Sequence, residues 1–190
     1  MKLVLGSGSP RRKALLEASG LRFQIMESGV DEARNPGERV HDYVHRIACD
    51  KAVSVSDRTP AALVLAADTV VECLGEILVK PEDIDDAHRM LRMLSGRTHT
   101  VLTAYALANA GGVVESAVVT SRVTFRQLSD AEIDGYVASG EPFDKAGGYG
   151  IQGRGGEFIS HVEGSRDNVM GLPMREVMAA LTRYGIRPEA

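Results

Sequence analysis

The chain has 190 residues, of which 44% are hydrophobic and 25% are charged, and its formal net charge is −4 at pH 7. This length and composition predict a single globular domain over residues 1–190. The acidic balance argues against nucleic acid as a partner, and no apolar stretch approaches the ~20 residues that a membrane span needs. The two cysteines, Cys49 and Cys73, match no metal spacing and favour a reducing, cytoplasmic location.

The chain begins with a pattern typical of a strand, a turn and a helix. The apolar residues 3–5 predict the strand, and Ser9 is well suited to be the N-cap of the helix. Pro10 fits the first helical position, and the helix is expected to run to Ser19 and end at Gly20. Three residues of this helix are expected to face the core: Ala14, Leu15 and Leu16.

The turn before this helix is a candidate anion-binding site. Its polar side chains are two hydroxyls and two guanidiniums, from Ser7, Ser9, Arg11 and Arg12. The first N–H groups of a helix already carry partial positive charge, so two arginines in the first turn are unfavourable unless an anion binds there. The turn is therefore predicted to bind a phosphate or a carboxylate. The alternative is a solvated, basic helix start.

Further polar candidates surround a long amphipathic helix. After a strand predicted over residues 23–26, Asp31 and Glu32 lie in a loop that, on local evidence alone, indicates an acidic surface turn. Residues 40–55 have the spacing of a helix with one apolar face, and Lys51 lies near the centre of that face. An ammonium there needs a carboxylate or phosphate partner, unless its stem passes the edge of the core to reach water.

The strongest catalytic candidate is an acidic residue in a core strand. The apolar residues 63–67 predict a strand buried on both faces, which ends at Asp68 and Thr69 before the apolar pattern resumes. Buried carboxylates are rare unless they are paired, hydrogen-bonded or bound to metal, and ligands of α/β sheets bind where strands end. A predicted hairpin over residues 70–79 then places Lys80 beside Asp68.

The rest of the chain alternates helices and strands, an order compatible with an α/β protein. The predicted elements are a helix, a hairpin of two long strands, a helix, a short strand and a helix, over residues 84–94, 98–108, 113–125, 129–140, 158–162 and 173–184. The first of these helices is expected to bury four residues: Ile84, Ala87, Leu91 and Leu94. A capping box of Ser129 and Glu132 marks the start of the second.

A glycine-rich stretch, residues 147–153, contains the spacing G-x-G-x-x-G of dinucleotide-binding turns. That motif requires a strand before it and a helix after it, and neither is predicted here. The stretch is instead predicted to be a close-fitting loop whose Gln152 is free to read the edge of a base.

Taken in order, these stretches resemble the Maf family of nucleoside triphosphate pyrophosphatases over nearly the whole chain. The matching stretches are residues 7–12, 31–32, 51–52, 67–71, 80–81, 95–99 and 149–153. The resemblance implies an α/β fold with a mixed, strongly bent β-sheet flanked by helices. It also implies two lobes around a central cleft, as in inosine triphosphate pyrophosphatases.

The resemblance implies an activity: hydrolysis of dTTP and UTP, or of modified pyrimidine nucleotides, to the monophosphate and pyrophosphate. The implied cofactor is Mg²⁺ or Mn²⁺, with ligands that the resemblance does not assign, and the family often forms homodimers. Two alternatives stay open. One is a paralogue that acts on 7-methyl-GTP, and the other is a nucleotide-binding regulator of cell division without turnover.

Residue roles follow from the same resemblance. Asp68 is implied as the base for the attacking water, with Glu32, Lys51 and Lys80 completing the catalytic group. Substrate choice is associated with the residues that match Arg12, Thr69 and Gln152.

Overall fold

The computed structural model describes residues 1–188, which contain seven β-strands and six α-helices. In chain order these are β1 (Lys2–Leu5), α1 (Pro10–Ala18), β2 (Gln24–Ile25), α2 (Val40–Ser56), β3 (Ala62–Cys73), β4 (Glu76–Leu78), α3 (Ile84–Leu94), β5 (Thr98–Asn109), β6 (Gly112–Phe125), α4 (Asp130–Val137), β7 (Ile159–Glu163), α5 (Arg166–Val169) and α6 (Met174–Arg183). Between α4 and β7 the chain forms three short 3₁₀ turns, Glu141–Asp144, Ala146–Gly148 and Arg154–Phe158. None of the helices within residues 1–188 is long and apolar enough to cross a membrane.

The strands form a mixed sheet in the order β2-β1-β3-β5-β6-β7, with β4 added to β3. Strand β1 runs parallel to β2 and β3, whereas β4 is antiparallel to β3 and β7 is antiparallel to β6. The α/β class and the mixed sheet that the family resemblance implies are therefore confirmed. The chain divides into two compact units, each made of separate segments.

Within the described residues, the first unit consists of Met1–Asp68, Thr103–Val119 and residues 171–188. Successive side chains of β1 and β3 point alternately into two apolar clusters, so both faces of these strands are buried. Leu5 and Leu65 pack in a cluster that includes Leu16 of α1, whereas Val4 and Val64 pack with the α2 residue Val55. Burial on both faces explains why these strands are continuous apolar runs.

The second unit consists of Thr69–Leu102 and Thr120–Met170. Its core combines the apolar face of α3 with a cluster of aromatic rings. Phe125 lies between Tyr149 and Phe158, with edge-to-face ring centroids at 4.7 and 5.9 Å, and Tyr136 packs on Phe158 at 5.0 Å. Such edge-to-face contacts add to the stabilisation that burial of the rings supplies.

Two apolar residues predicted to be buried face solvent instead. Ala14 is exposed on α1, where the inward positions are Arg12 and Leu16, four residues apart. Ile84 is 60% exposed because it occupies the first position of α3, one residue after the N-cap Asp83. Helical periodicity predicts which face of a helix is buried, but the placement of the helix in the fold decides whether residues at the edges and ends of that face are buried.

Several predicted boundaries also differ. Strand β3 does not end at Asp68 but continues to Cys73, because its later residues pair with β4. The helix expected to reach residue 140 ends at Val137, and the short helix α5 was not predicted. The strand expected over residues 23–26 shortens to Gln24–Ile25.

Candidate active site

Three charged side chains meet in the first unit. The Lys51 ammonium lies 2.8 Å from an Asp68 carboxylate oxygen and 2.7 Å from a Glu32 carboxylate oxygen. The side chains of Lys51 and Asp68 are each only 9% exposed, whereas that of Glu32 is 52% exposed. The lysine on the apolar face of α2 therefore has the carboxylate partner that its position required, and the snorkelling alternative is wrong.

Asp68 lies midway between two strand pairings of β3. The pairing with β1 covers Ala62 to Leu65, and the pairing with β4 begins at Val71. The carboxylate is therefore carried by rigid strand backbone on both sides. Its side chain accepts a hydrogen bond from Lys51, which lies on the buried face of helix α2.

Tyr43, on the same buried face of α2, is a further polar member of this cluster that the sequence pattern did not single out. Its ring is buried at 4% exposure, and its hydroxyl donates a 2.8 Å hydrogen bond to the Glu32 backbone carbonyl. Burial, with the Asp68 and Glu32 carboxylates as further causes, raises the pKa of Tyr43 to about 12. The sequence did contain a signal for this role, because Tyr43 lies two helical turns before Lys51 on the same buried face of α2, where its hydroxyl needs a hydrogen-bond partner.

The turn before α1 brings three of its predicted residues into direct contact. The Ser7 hydroxyl accepts hydrogen bonds from the Ser9 backbone N–H at 3.3 Å and from an Arg12 Nη at 3.1 Å. Ser9 is the N-cap residue, but its side chain makes no cap hydrogen bond. The predicted strand, turn and helix are thus present, and the Ser7 hydroxyl bridges the turn to the first helical turn.

Arg12 is directed inward rather than to solvent. Its Nε donates a 2.7 Å hydrogen bond to the carbonyl of Gly171, whose backbone φ of 106° favours glycine. Burial lowers the pKa of Arg12, the Asp68 carboxylate opposes that shift, and the neighbouring Arg11 lowers the pKa further. Arg12 therefore interacts electrostatically with Asp68, which links the turn to the cluster of Lys51, Asp68 and Glu32. Gly171 has no local sequence signal, because its partner lies 159 residues away.

The remaining predicted site residues belong to the second unit. Thr69 is half-buried on β3, and Lys80 is exposed in a bend that follows β4. Gln152 is exposed in the segment between the second and third 3₁₀ turns. The predicted hairpin that leads to Lys80 is confirmed, with a turn at Leu74 and Gly75, both of positive φ.

The loop that carries Gln152 is held by close backbone contacts. A Cβ added to Gly155 would lie 2.7 Å from the Gly150 carbonyl oxygen, and one added to Gly156 would lie 2.6 Å from the Ile151 carbonyl oxygen. The Glu141 carboxylate accepts hydrogen bonds from the N–H groups of Arg154 and Gly155. The glycines thus permit close approach of backbone segments, as predicted, and no α-helix of the dinucleotide-binding type follows within residues 154–165.

A buried histidine anchors the start of this loop. His99 is 2% exposed, and its Nε2 lies 2.7 Å from the Tyr149 hydroxyl. Its Nδ1 has no hydrogen-bond partner within residues 1–188. Burial lowers the pKa of His99 to about 4, so the ring is neutral at pH 7. Tyr149 lies three residues before Gln152, and its anchoring limits how far the loop can move.

A divalent cation is chemically compatible with the two carboxylates that contact Lys51. Glu32 and Asp68 direct carboxylate oxygens at one point, the Lys51 ammonium, and carboxylate oxygens are ligands that Mg²⁺ prefers. Within the described residues no group of three or more His, Cys, Asp or Glu side chains could hold a metal. Mg²⁺ is commonly held by one or two carboxylates, with water and substrate phosphates as its other ligands, so the two carboxylates fit this cation.

A buried carboxylate–ammonium pair beside an inward arginine, in an α/β protein, is a site suited to an anionic substrate. The model of the Maf-like protein family matches residues 2–184. The chain belongs to this family.

Relatives named dTTP/UTP pyrophosphatase match nearly the full length of the chain. The protein from Anaeromyxobacter dehalogenans is 54% identical, over 97% of this chain and 94% of its own. Those from Myxococcus xanthus and Chromobacterium violaceum are 50% and 48% identical, each over 97% of this chain, and over 93% and 95% of their own. Among solved structures, a HAM1 protein from Coxiella burnetii matches with 13% identity and a TM-score of 0.48, over 96% of this chain and 99% of its own.

Proposed function

We propose that this chain is a nucleoside triphosphate pyrophosphatase that converts dTTP and UTP to the monophosphate and pyrophosphate. The observation that carries the proposal is the buried pair of Lys51 and Asp68, with Glu32 on the same ammonium. The names of the relatives, at about 50% identity over nearly the whole chain, support the choice of substrate. We further propose that residues 1–190 act as one domain, since neither compact unit is a continuous stretch of chain.

In the proposed reaction, water attacks the α-phosphorus and the bond to the β-phosphate oxygen breaks. Asp68 accepts the proton of the attacking water, and its placement on rigid strand backbone keeps the carboxylate oriented. Lys51 holds the Asp68 carboxylate in place through their contact and offsets negative charge on the phosphate oxygens. Lys80 is proposed to stabilise the charge of the departing pyrophosphate.

We propose that Glu32 and Asp68 hold a divalent cation, Mg²⁺ or Mn²⁺, together with the triphosphate. When bound, the cation supplies positive charge to the phosphate oxygens and lowers the pKa of coordinated water. The role of this chain would be to supply two carboxylates, that of Asp68 buried and that of Glu32 half-exposed, whose second oxygens are not the ones that contact Lys51.

Substrate binding is proposed for the polar residues that the family resemblance implies. The turn before α1 is proposed to bind the phosphates through Ser7, Ser9, Arg11 and Arg12. Arg12, Thr69 and Gln152 are proposed to select the pyrimidine base. An exposed amide on a constrained loop, as at Gln152, supplies one donor and one acceptor that match a pyrimidine edge.

We place this reaction in the cytoplasm, with a homodimer as the proposed assembly. Cys49 and Cys73 are both free thiols, which agrees with a reducing compartment.

The test is a screen of nucleoside triphosphates with Mg²⁺ or Mn²⁺, detecting pyrophosphate, for the wild type and Asp68→Asn. We expect release from dTTP and UTP above that from purine nucleotides, and a loss of ~100-fold or more in Asp68→Asn with folding retained. Asp57→Asn, at the exposed end of α2, is the matched control. Preference for 7-methyl-GTP would replace the substrate assignment, and binding without pyrophosphate release from any nucleotide would support the regulator.

A further inference from the structure

The loop that carries Glu32 depends on helix α2 for its position. Residues 31–38, here called the Glu32 loop, contain neither helix nor strand. The loop closes on itself through local contacts, which include hydrogen bonds from the Ala33 N–H to Asp31, from the Asn35 N–H to the Glu38 carboxylate and from the Arg34 side chain to the Glu38 carbonyl. Such local contacts shape a loop, but they do not place it against the rest of the protein.

Two side chains of α2 place the loop. Arg46 donates to the Ala33 carbonyl at 3.0 Å and to both carboxylate oxygens of Glu38 at 2.7 and 2.8 Å. Tyr43 donates to the Glu32 carbonyl at 2.8 Å. The two anchors lie one helical turn apart on α2, and they hold consecutive residues of the loop, Glu32 and Ala33.

The two anchors differ in solvent exposure and in what they hold. The Arg46 side chain is 30% exposed, so water competes with its contacts. The Tyr43 side chain is almost fully buried, and it holds the residue whose carboxylate meets Lys51. The Glu32 side chain is half-exposed and has three rotatable bonds, so freedom of its backbone would add to the conformations that compete with the 2.7 Å contact to the ammonium.

We propose that Tyr43 is a positioning residue for the pyrophosphatase reaction, because its hydroxyl fixes the backbone of Glu32 and so aligns that carboxylate with Lys51 and Asp68. This inference rests on the proposed function. It assigns no contact between Tyr43 and the nucleotide. The effect of losing the hydroxyl must therefore pass through Glu32.

The experiment is a double-mutant cycle of Tyr43→Phe and Glu32→Gln, with kcat and KM measured on dTTP. Tyr43→Phe removes one oxygen and keeps the buried ring. We expect kcat to fall ~10-fold and KM to change less than ~2-fold in Tyr43→Phe, because the side chains of the turn before α1, which are proposed to bind the phosphates directly, stay unchanged. In the Glu32→Gln background, Tyr43→Phe should change kcat less than ~2-fold. Equal losses in both backgrounds, or wild-type kcat in Tyr43→Phe, would overturn the proposal.

A matched control separates this role from general stability. The Tyr184 hydroxyl also donates to a backbone carbonyl, that of Val114, at 3.0 Å, and Tyr184 is half-buried. Tyr184→Phe should leave kcat within ~2-fold of the wild type at a similar cost in stability. If Tyr184→Phe lowers kcat as much as Tyr43→Phe does, the loss reflects stability and the positioning role is wrong.

A readout without turnover distinguishes failure of this inference from failure of the proposed function. Amide hydrogen exchange of the peptide covering residues 31–38 should be ~10-fold faster in Tyr43→Phe than in the wild type or Tyr184→Phe. Inactivity of the wild type on every triphosphate would overturn the proposed function, while faster exchange would still establish Tyr43 as the anchor. Unchanged exchange would overturn the anchor even in an active enzyme.

Discussion

The Lys51 ammonium and an Asp68 carboxylate oxygen lie 2.8 Å apart, and both side chains are nine-tenths buried. Removing either charge from water costs several kcal/mol, so a buried pair of this kind often stabilises a protein no better than well-packed apolar residues. Arg12 adds a second buried cation close to the same carboxylate. This concentration of charge in an otherwise apolar region of α2 and β3 is therefore better explained by chemistry than by stability.

The first prediction concerns the energetic dependence of these two residues on each other. Lys51→Met should lower the free energy of unfolding by ~3 kcal/mol, because it leaves the Asp68 carboxylate buried without its main partner. Adding Asp68→Asn should recover most of that loss, since an amide carries no charge to desolvate. Both variants should be inactive. Urea unfolding at pH 7 measures the free energies.

Lys13→Met is the control for this experiment. Lys13 pairs with Glu17 at 3.6 Å on the exposed side of α1, and exposed pairs contribute ~0–1 kcal/mol. A loss in Lys51→Met no larger than in Lys13→Met, or no recovery in the double variant, would contradict the coupling.

The sequence predicted the cluster better than its surroundings. Helical periodicity placed Lys51 on a buried face, and elementary electrostatics then required an anionic partner, which proved to be Asp68 and Glu32. The carboxylate itself was conspicuous because it interrupts an apolar run. Its predicted place at a strand end was wrong, since β3 changes partner from β1 to β4 without stopping.

Other parts of the site could not be predicted from local patterns. The contact between Tyr43 and Glu32 depends on the path of a loop without regular structure. The contact between Arg12 and Gly171 joins residues 159 positions apart. In both contacts the acceptor is a backbone carbonyl. Every residue has one, so no residue type in the sequence indicates which carbonyl accepts the hydrogen bond.

The second prediction concerns Arg12. Its guanidinium bonds to Gly171 through Nε and to Ser7 through Nη1, a forked geometry that a lysine cannot reproduce. Arg12→Lys should therefore lower kcat/KM for all triphosphates by ~10-fold, and Arg12→Ala by ~100-fold, with a smaller dTTP to GTP ratio. Steady-state kinetics on dTTP, UTP and GTP tests this. Arg175→Lys is the control, because the Arg175 side chain is 90% exposed. Wild-type kinetics in Arg12→Lys would show that the paired contacts to Gly171 and Ser7 do not matter for activity.

The third prediction concerns base selection. Gln152→Ala should reduce the ratio of kcat/KM for dTTP over GTP by ~5- to 150-fold, because a base-reading hydrogen bond contributes ~1–3 kcal/mol. Thr69→Ala should act in the same direction. Gln24→Ala, at an exposed position of β2, should leave the ratio unchanged. If Gln152→Ala lowers both rates equally, Gln152 supports the loop and does not read the base.

The fourth prediction concerns acid sensitivity through His99. Burial lowers the pKa of His99 to about 4, below the ordinary value of 6.5. Protonation would place a charge in the aromatic cluster, and the charged ring carries an N–H at Nδ1, where there is no acceptor among the described residues. Between these two pH values the unfolded chain binds one more proton than the native protein at this position. Stability is therefore complete above pH ~6.5 and falls as the pH drops towards ~4, by ~3 kcal/mol in all.

The pH window separates His99 from the acidic residues. Hydrogen bonds from Arg46 and Arg126 lower the pKa values of Glu38 and Glu132 to about 2, so those carboxylates lose their stabilising contribution only between pH ~4.5 and ~2. Urea unfolding of the wild type and His99→Gln at pH 7, 6, 5 and 4.5 isolates the histidine, because glutamine can still hydrogen-bond Tyr149 but does not titrate. The wild type should lose ~2–3 kcal/mol more than His99→Gln over this range. Parallel pH profiles for the two proteins would show that His99 is not held neutral by its surroundings.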